Sequence, residues 1–114
     1  MSTFYHNPRC SKSREALQLL RDKGIEPEVV LYLETPPDAA ALQALLKKLK
    51  LKPRELMRQK EPEYKELGLD DASLSDAELI AALTRCPKLI ERPILIKGSK
   101  AIIGRPPELV LEIL

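Results

Sequence analysis

The chain has 114 residues, enough for one domain with a real core and too few for two. Nineteen Lys and Arg against seventeen Asp and Glu leave a formal charge of +2, a balance that does not announce a nucleic-acid partner. Two cysteines, no secretory leader and no apolar run of bilayer length predict a soluble, cytoplasmic protein with reduced thiols, no membrane association and no disulfide scaffold. There is no internal repeat, and the ten prolines punctuate the chain instead of forming a linker.

Thr3 to Tyr5 reads as a short strand, broken by Asn7-Pro8. Ala16, Leu17 and Leu20 then mark one face of a helix that Lys23-Gly24 ends, with the glycine suited to a C-terminal cap. Val29 to Leu33 (VVLYL) is a continuous apolar run, which predicts a strand covered on both faces. Thr35-Pro36-Pro37-Asp38 predicts a helix start, with Thr35 as cap, proline at the first position and an acid in the first turn, followed by a buried stripe of Leu42, Leu45, Leu46 and Leu49. Lys47, Lys48, Lys50 and Lys52 read as a solvated face. A short amphipathic piece with Leu56 and Met57 follows Pro53, and Pro62 opens another that ends near Gly68. Ser75 to Glu78 matches a capping box ahead of Leu79, Ile80 and Leu83. PILI (93–96) and AII (101–103) flank a turn of hairpin composition, and Pro106 opens a last helix with Leu109, Val110, Ile113 and Leu114 as its apolar positions.

The predicted order is β-α-β, a helical insertion at about 36–86, then β-β-α, all within one domain spanning 1–114. This describes an α/β fold with a small mixed sheet and flanking helices, the order of the thioredoxin-like fold. In that fold a reactive cysteine lies between the first strand and the first helix, where Cys10 stands in YHNPRCSKSR. Unpaired amides and the positive end of a helix dipole favour a thiolate there. Arg9, Lys12 and Arg14 add positive charge, and Ser11 and Ser13 can donate hydrogen bonds to the sulfur or to an oxyanion. The same helix start can hold a phosphate-like anion, and Arg58, Arg92 and Arg105 are candidates to complete its cage. Arg92 and Arg105 each precede a proline at the entrance to an element, where a restrained backbone fixes the side chain. Serine stands at 13, where a redox dithiol motif would carry its second cysteine, so a resolving thiol has to come from elsewhere. Cys86, in TRCPK, reads as a small residue near a helix end, with a regulatory or resolving thiol as the alternative. His6 reads as a structural hydrogen-bonding group more than an acid or base.

YHNPRCSKSR, VVLYLETPP, RELMRQKE, ERPI and IGRPPE, in this order, resemble the glutaredoxin-coupled arsenate reductase family, usually called ArsC, from about Thr3 to Leu114. The resemblance implies that Cys10 is the nucleophile that attacks arsenate, and that glutathione and glutaredoxin supply the reducing thiols. It implies that Arg58, Arg92 and Arg105 bind the oxyanion and that Pro93 is a cis proline beside the cysteine. It places His6, Asn7 and Ser13, with Ser11 and Arg14, in the supporting loop. No bound cofactor and no metal are implied, glutathione being a co-substrate. Two further readings stay open: a redox-sensing regulator of the Spx type, which binds RNA polymerase, and a glutathione-dependent thiol oxidoreductase acting on another substrate. Serine at 13 and the three arginines count against the first of these.

Overall fold

A computed structural model describes residues 2–114. The chain forms two compact units, one of Met1–Thr35 with Arg92–Leu114 and one of Pro36–Glu91. The first holds a four-stranded mixed sheet of order β2-β1-β3-β4. Strand β1 (Ser2–Tyr5) leads through helix α1 (Ser11–Asp22) to the parallel strand β2 (Glu28–Val30). Strands β3 (Ile94–Lys97) and β4 (Lys100–Ile103) form a hairpin, with β3 antiparallel to β1, and a 3-10 helix at Pro107–Ile113 closes the chain. This is the expected α/β, thioredoxin-like arrangement.

The register explains the core. Val29, Phe4, Leu95 and Ile102 are successive cross-strand neighbours, so alternation puts all four on one face of the sheet. That row packs with Ala16, Leu17 and Leu20 of α1 and with Val110 of the closing helix. Helix α1 ends as its sequence predicts: Gly24, at φ 78°, donates to Arg21 O while Ile25 donates to Leu20 O, a Schellman cap.

The second unit is helical, with α2 (Ala39–Leu49), α3 (Pro62–Glu66), α4 (Asp76–Arg85) and 3-10 turns at Pro53–Leu56 and Pro87–Leu89. Leu42, Leu45 and Leu46 of α2 and Leu79, Ile80 and Leu83 of α4 are its buried stripes. The Ser75 capping box is present in full, with Glu78 N donating to Ser75 Oγ and Ser75 N to Glu78 Oε1. Arg54 ties the segment after α3 in place, donating to Tyr64 Oη and to the carbonyls of Leu69 and Asp71.

Three local expectations are corrected. The VVLYL run is not one covered strand: β2 is a half-buried edge strand that ends at Val30. Leu31–Leu33 then turn, burying Tyr32 and leaving Leu33 41% exposed. The cap of α2 is Asp38, whose Oδ1 accepts from Ala41 N at 2.8 Å, not Thr35. Pro37 disfavours the helical region for Pro36, so a helix cannot start there. The last helix is 3-10, begins at Pro107 and buries only Val110 of its four expected apolar positions, the others lying partly or well exposed. Among the described residues no helix is long and apolar enough to cross a membrane.

Candidate active site

The end of β1 fixes one side of the loop, because His6 N donates to Val30 O at 2.9 Å and extends the β1–β2 ladder by one residue. Asn7 then turns the chain twice over. Its side-chain Oδ1 accepts from Arg9 N at 3.0 Å, and its carbonyl accepts from Cys10 N at 3.0 Å. Cys10 is the N-cap of α1 (φ −93°, ψ 122°), with its carbonyl already accepting from Arg14 N at 3.0 Å. Its thiol is partly exposed at the positive end of a twelve-residue helix.

Ser13 pins this loop from below. Its side chain is fully buried, and Oγ accepts from Asn7 N at 3.1 Å and lies 2.7 Å from His6 Nδ1. The hydroxyl therefore serves the loop instead of the sulfur, and Ser13 acts on the thiol through its backbone N–H. His6 is buried, its ring tilted against Phe4 at 5.6 Å. Burial first, then the charges of Arg21 and Arg14, hold its pKa below the ordinary histidine value, so the ring is neutral at pH 7. Arg14 donates to Pro8 O at 2.9 Å and clamps the loop from α1. Ser11, the first residue of α1, is exposed.

Burial pushes the Cys10 thiol up, but the opposing influences prevail and its pKa lies below the usual cysteine value. These are the backbone N–H of Ser13, the hydrogen bond and charge of Arg92, and the backbone N–H of Lys12. The cation that acts on the sulfur is thus Arg92, from the far end of the sequence, while Arg14 serves the backbone. The Arg92–Pro93 peptide is cis, and so is Arg105–Pro106. Arg105, exposed, donates to Arg92 O at 3.3 Å, which joins the two arginine-proline pairs. Arg58 lies in the helical unit, only 20% exposed, with Glu61 and Glu91 as its ion-pair partners. Cys86 caps α4; burial first and then the Glu63 charge raise its pKa. Among the described residues no cluster of three or more His, Cys, Asp and Glu has the form of a metal site.

Two contributors escaped the sequence reading. Gly104 donates its N–H to Pro93 O at 2.8 Å, and a Cβ there would stand 2.9 Å from both Pro93 Cγ and Val110 Cγ1. Only a residue without a side chain lets β4 pass so close behind Pro93. The signal was the glycine in IGRPPE, standing at the end of a predicted strand, where a missing side chain marks close backbone approach. The pairing of Glu91 with Arg58 left no such mark, since the two stand far apart in the chain, whereas Glu61 lies only three residues beyond Arg58.

Known proteins resemble this chain along almost its whole length. The model of the ArsC family matches residues 5–113. The uncharacterized protein YfgD of Escherichia coli K12 is 66% identical over 111 residues, 96% of this chain and 93% of that protein. A Haemophilus influenzae protein named arsenate reductase is 55% identical over 112 residues, 97% of each chain. The solved structure of an arsenate reductase from Vibrio cholerae superposes with a TM-score of 0.97 at 54% identity, covering 99% of this chain and 97% of that one. With the cysteine at the helix start, the arginine-proline pair beside it and a match along almost its whole length, the chain belongs to the ArsC family.

Proposed function

We propose that the protein is an arsenate reductase that works through the Cys10 thiolate, with glutathione and glutaredoxin as reductants. The observation that carries this reading is the thiol itself: partly exposed, at the start of α1, and lowered in pKa by two backbone N–H groups and Arg92. Such a group is a readier nucleophile than an ordinary cysteine, and it stands at an anion-binding helix terminus. The names of relatives such as the Haemophilus influenzae protein support arsenate as the substrate.

Cys10 Sγ attacks arsenic, and one arsenate oxygen leaves as water after taking up protons. The product is a sulfur–arsenic bond to still pentavalent arsenic. Glutathione thiolate then attacks Sγ, and the sulfur–arsenic bond breaks with its electron pair on arsenic. Arsenic leaves trivalent, as arsenite, while the two sulfurs are oxidised to a Cys10–glutathione disulfide. Glutaredoxin thiolate attacks the glutathione sulfur, frees the Cys10 thiolate and carries glutathione away as its own mixed disulfide. Arg92, Arg105 and Arg58 are assigned to the arsenate oxygens, and His6, Asn7, Ser13 and Arg14 to the shape of the loop. Pro93 is assigned to the placement of Arg92. No bound cofactor enters, and the thiol supply places the reaction in the cytoplasm.

The Spx-type alternative requires a second thiol at 13, where the buried hydroxyl is already engaged by His6 and Asn7. The decisive experiment measures arsenite released by purified protein from arsenate, glutathione and glutaredoxin. Turnover that disappears in Cys10→Ser is the expected result. A wild-type protein inert under conditions where another ArsC-family reductase turns over refutes the reading.

A further inference from the structure

Helices α3 and α4 and the segment between them, all within the 36–91 unit, frame a cavity of about 560 Å³. One wall is a single face of α4 and its cap. Glu78, Ala81, Ala82, Arg85 and Cys86 follow one another at helical spacing, so they share a stripe whose middle carries only methyl groups. The other wall is apolar. Leu67, just after α3, is 54% exposed, the most exposed large apolar side chain among the described residues, and Leu69 and Leu74 continue the surface. Apolar walls with a few ionised groups, at this volume, are the make-up of a small-molecule site.

The ionised groups decide the sign of the ligand. Glu63, Glu78 and Arg85 line the cavity, so carboxylates outnumber the guanidinium, and Arg85 is exposed whereas Glu63 is half-buried. Glu78 is already occupied by the Ser75 capping box. Glu63 has capacity left: its Oε2 accepts from Lys88 Nζ at 3.0 Å, while Oε1 is buried with no hydrogen-bond partner. A carboxylate offers about four acceptor sites and its terminal torsion is soft, so the group turns toward a new donor at little cost. After burial, the Glu63 charge is the largest influence holding the Cys86 thiol protonated, ahead of the opposing Lys88 ammonium. The field along that wall is therefore negative.

We propose that this cavity is a binding site for a small amphipathic amine, with its ammonium on the Glu63 carboxylate and its apolar body between the leucine wall and the alanines of α4. An ammonium supplies the donor that Glu63 Oε1 lacks, and the apolar body covers Leu67. An anionic ligand of the same shape meets Glu63 and Glu78 as like charges, with only the exposed Arg85 to attract it. None of these groups takes part in the chemistry proposed for Cys10.

The test titrates the full, isotope-labelled chain at pH 7 with phenethylamine, and in parallel with phenethyl alcohol and hydrocinnamate, reading backbone amide shifts by NMR. The amine is expected to give saturable shifts centred on Leu67, Leu69, Ala82 and Cys86, with half-saturation at about 1 mM, as suits a ligand this small. It is expected to bind about fivefold more tightly than the alcohol, the effect of one partly exposed ion pair, and hydrocinnamate more weakly than either. Glu63→Gln is expected to bring the amine to the level of the alcohol. Ala81→Leu, which keeps a good helix former while filling the space, is expected to weaken both severalfold. The three ligands on the wild-type chain decide the charge preference without any variant. No saturable shifts up to about 10 mM, shifts centred elsewhere, alcohol or hydrocinnamate binding as tightly as the amine, or amine binding undiminished in Glu63→Gln or Ala81→Leu overturns the inference.

Discussion

Gly104→Ala offers a test of how the fold holds Arg92. Gly104 does not occupy a left-handed backbone conformation, so alanine meets no penalty from φ and gains about 0.4–1 kcal/mol from a less flexible unfolded chain. Against this, its Cβ would stand 2.9 Å from Pro93 Cγ and 2.9 Å from Val110 Cγ1. Neither neighbour can retreat easily: Pro93 is a rigid ring whose carbonyl accepts from Gly104 N, and Val110 is fully buried against the sheet and α1. Overpacking of this kind costs about 1–3 kcal/mol, and the midpoints of cost and gain leave a net loss of about 1.3 kcal/mol. For a chain of this length that lowers the melting temperature by about 5 °C. Movement of Pro93 also carries Arg92 away from Cys10, so the pH at which Cys10 becomes half-reactive toward iodoacetamide should rise. Thermal unfolding by circular dichroism and the pH profile of alkylation read the two effects separately. A melting temperature equal to or above that of the wild type refutes the steric argument, and an unchanged pH profile refutes the link from Pro93 to Arg92.

Three further outcomes follow from the loop. Because the Cys10 thiol is lowered and the Cys86 thiol raised, limiting iodoacetamide near pH 7 should label Cys10 first, and Arg92→Ala should narrow the difference; peptide mapping that finds Cys86 labelled first contradicts this. Ser13→Ala should cost about 1–3 kcal/mol in urea unfolding, since it strands the buried Asn7 amide and His6 ring nitrogen, and a loss below about 0.5 kcal/mol would show that water replaces the hydroxyl. His6 binds its proton less readily folded than unfolded, so its contribution to stability is complete above the unfolded value near 6.5 and is lost as pH falls below it toward the folded value. Wild-type protein should therefore lose more stability between pH 7 and pH 5 than His6→Asn does, as denaturant midpoints at the two pH values will show.

Local signals predicted the parts of this fold that local forces decide. The Ser75 box, the Gly24 cap and the 16-17-20 stripe of α1 stand where the sequence placed them, because each rests on contacts within a few residues. VVLYL misled because an apolar run does not say which of its residues continue a ladder. Tyr32 is buried from a turn, where the sequence pattern looks the same as in a strand. The double proline before Asp38 moved a helix start by three residues, a steric effect visible in the sequence once Pro36 is read as the residue before a proline. At the site, Cys10 and its helix were legible together. The turning of the Ser13 hydroxyl toward His6 and the pairing of Glu91 with Arg58 were not, since each joins residues through the tertiary fold and leaves no periodicity behind.

On the proposed function, the buried Ser13 hydroxyl leaves Cys10 dependent on borrowed electrons. A cysteine at 13 would set a weak donor and weak acceptor where a short bond to His6 and a backbone amide are required. The change that creates an internal dithiol therefore also loosens the loop that holds the first thiol, and a single substitution cannot deliver self-sufficiency. A reductase of the proposed kind would recharge Cys10 from small thiols outside the molecule, so the loop that shapes the nucleophile would also tie its turnover to cellular reducing power.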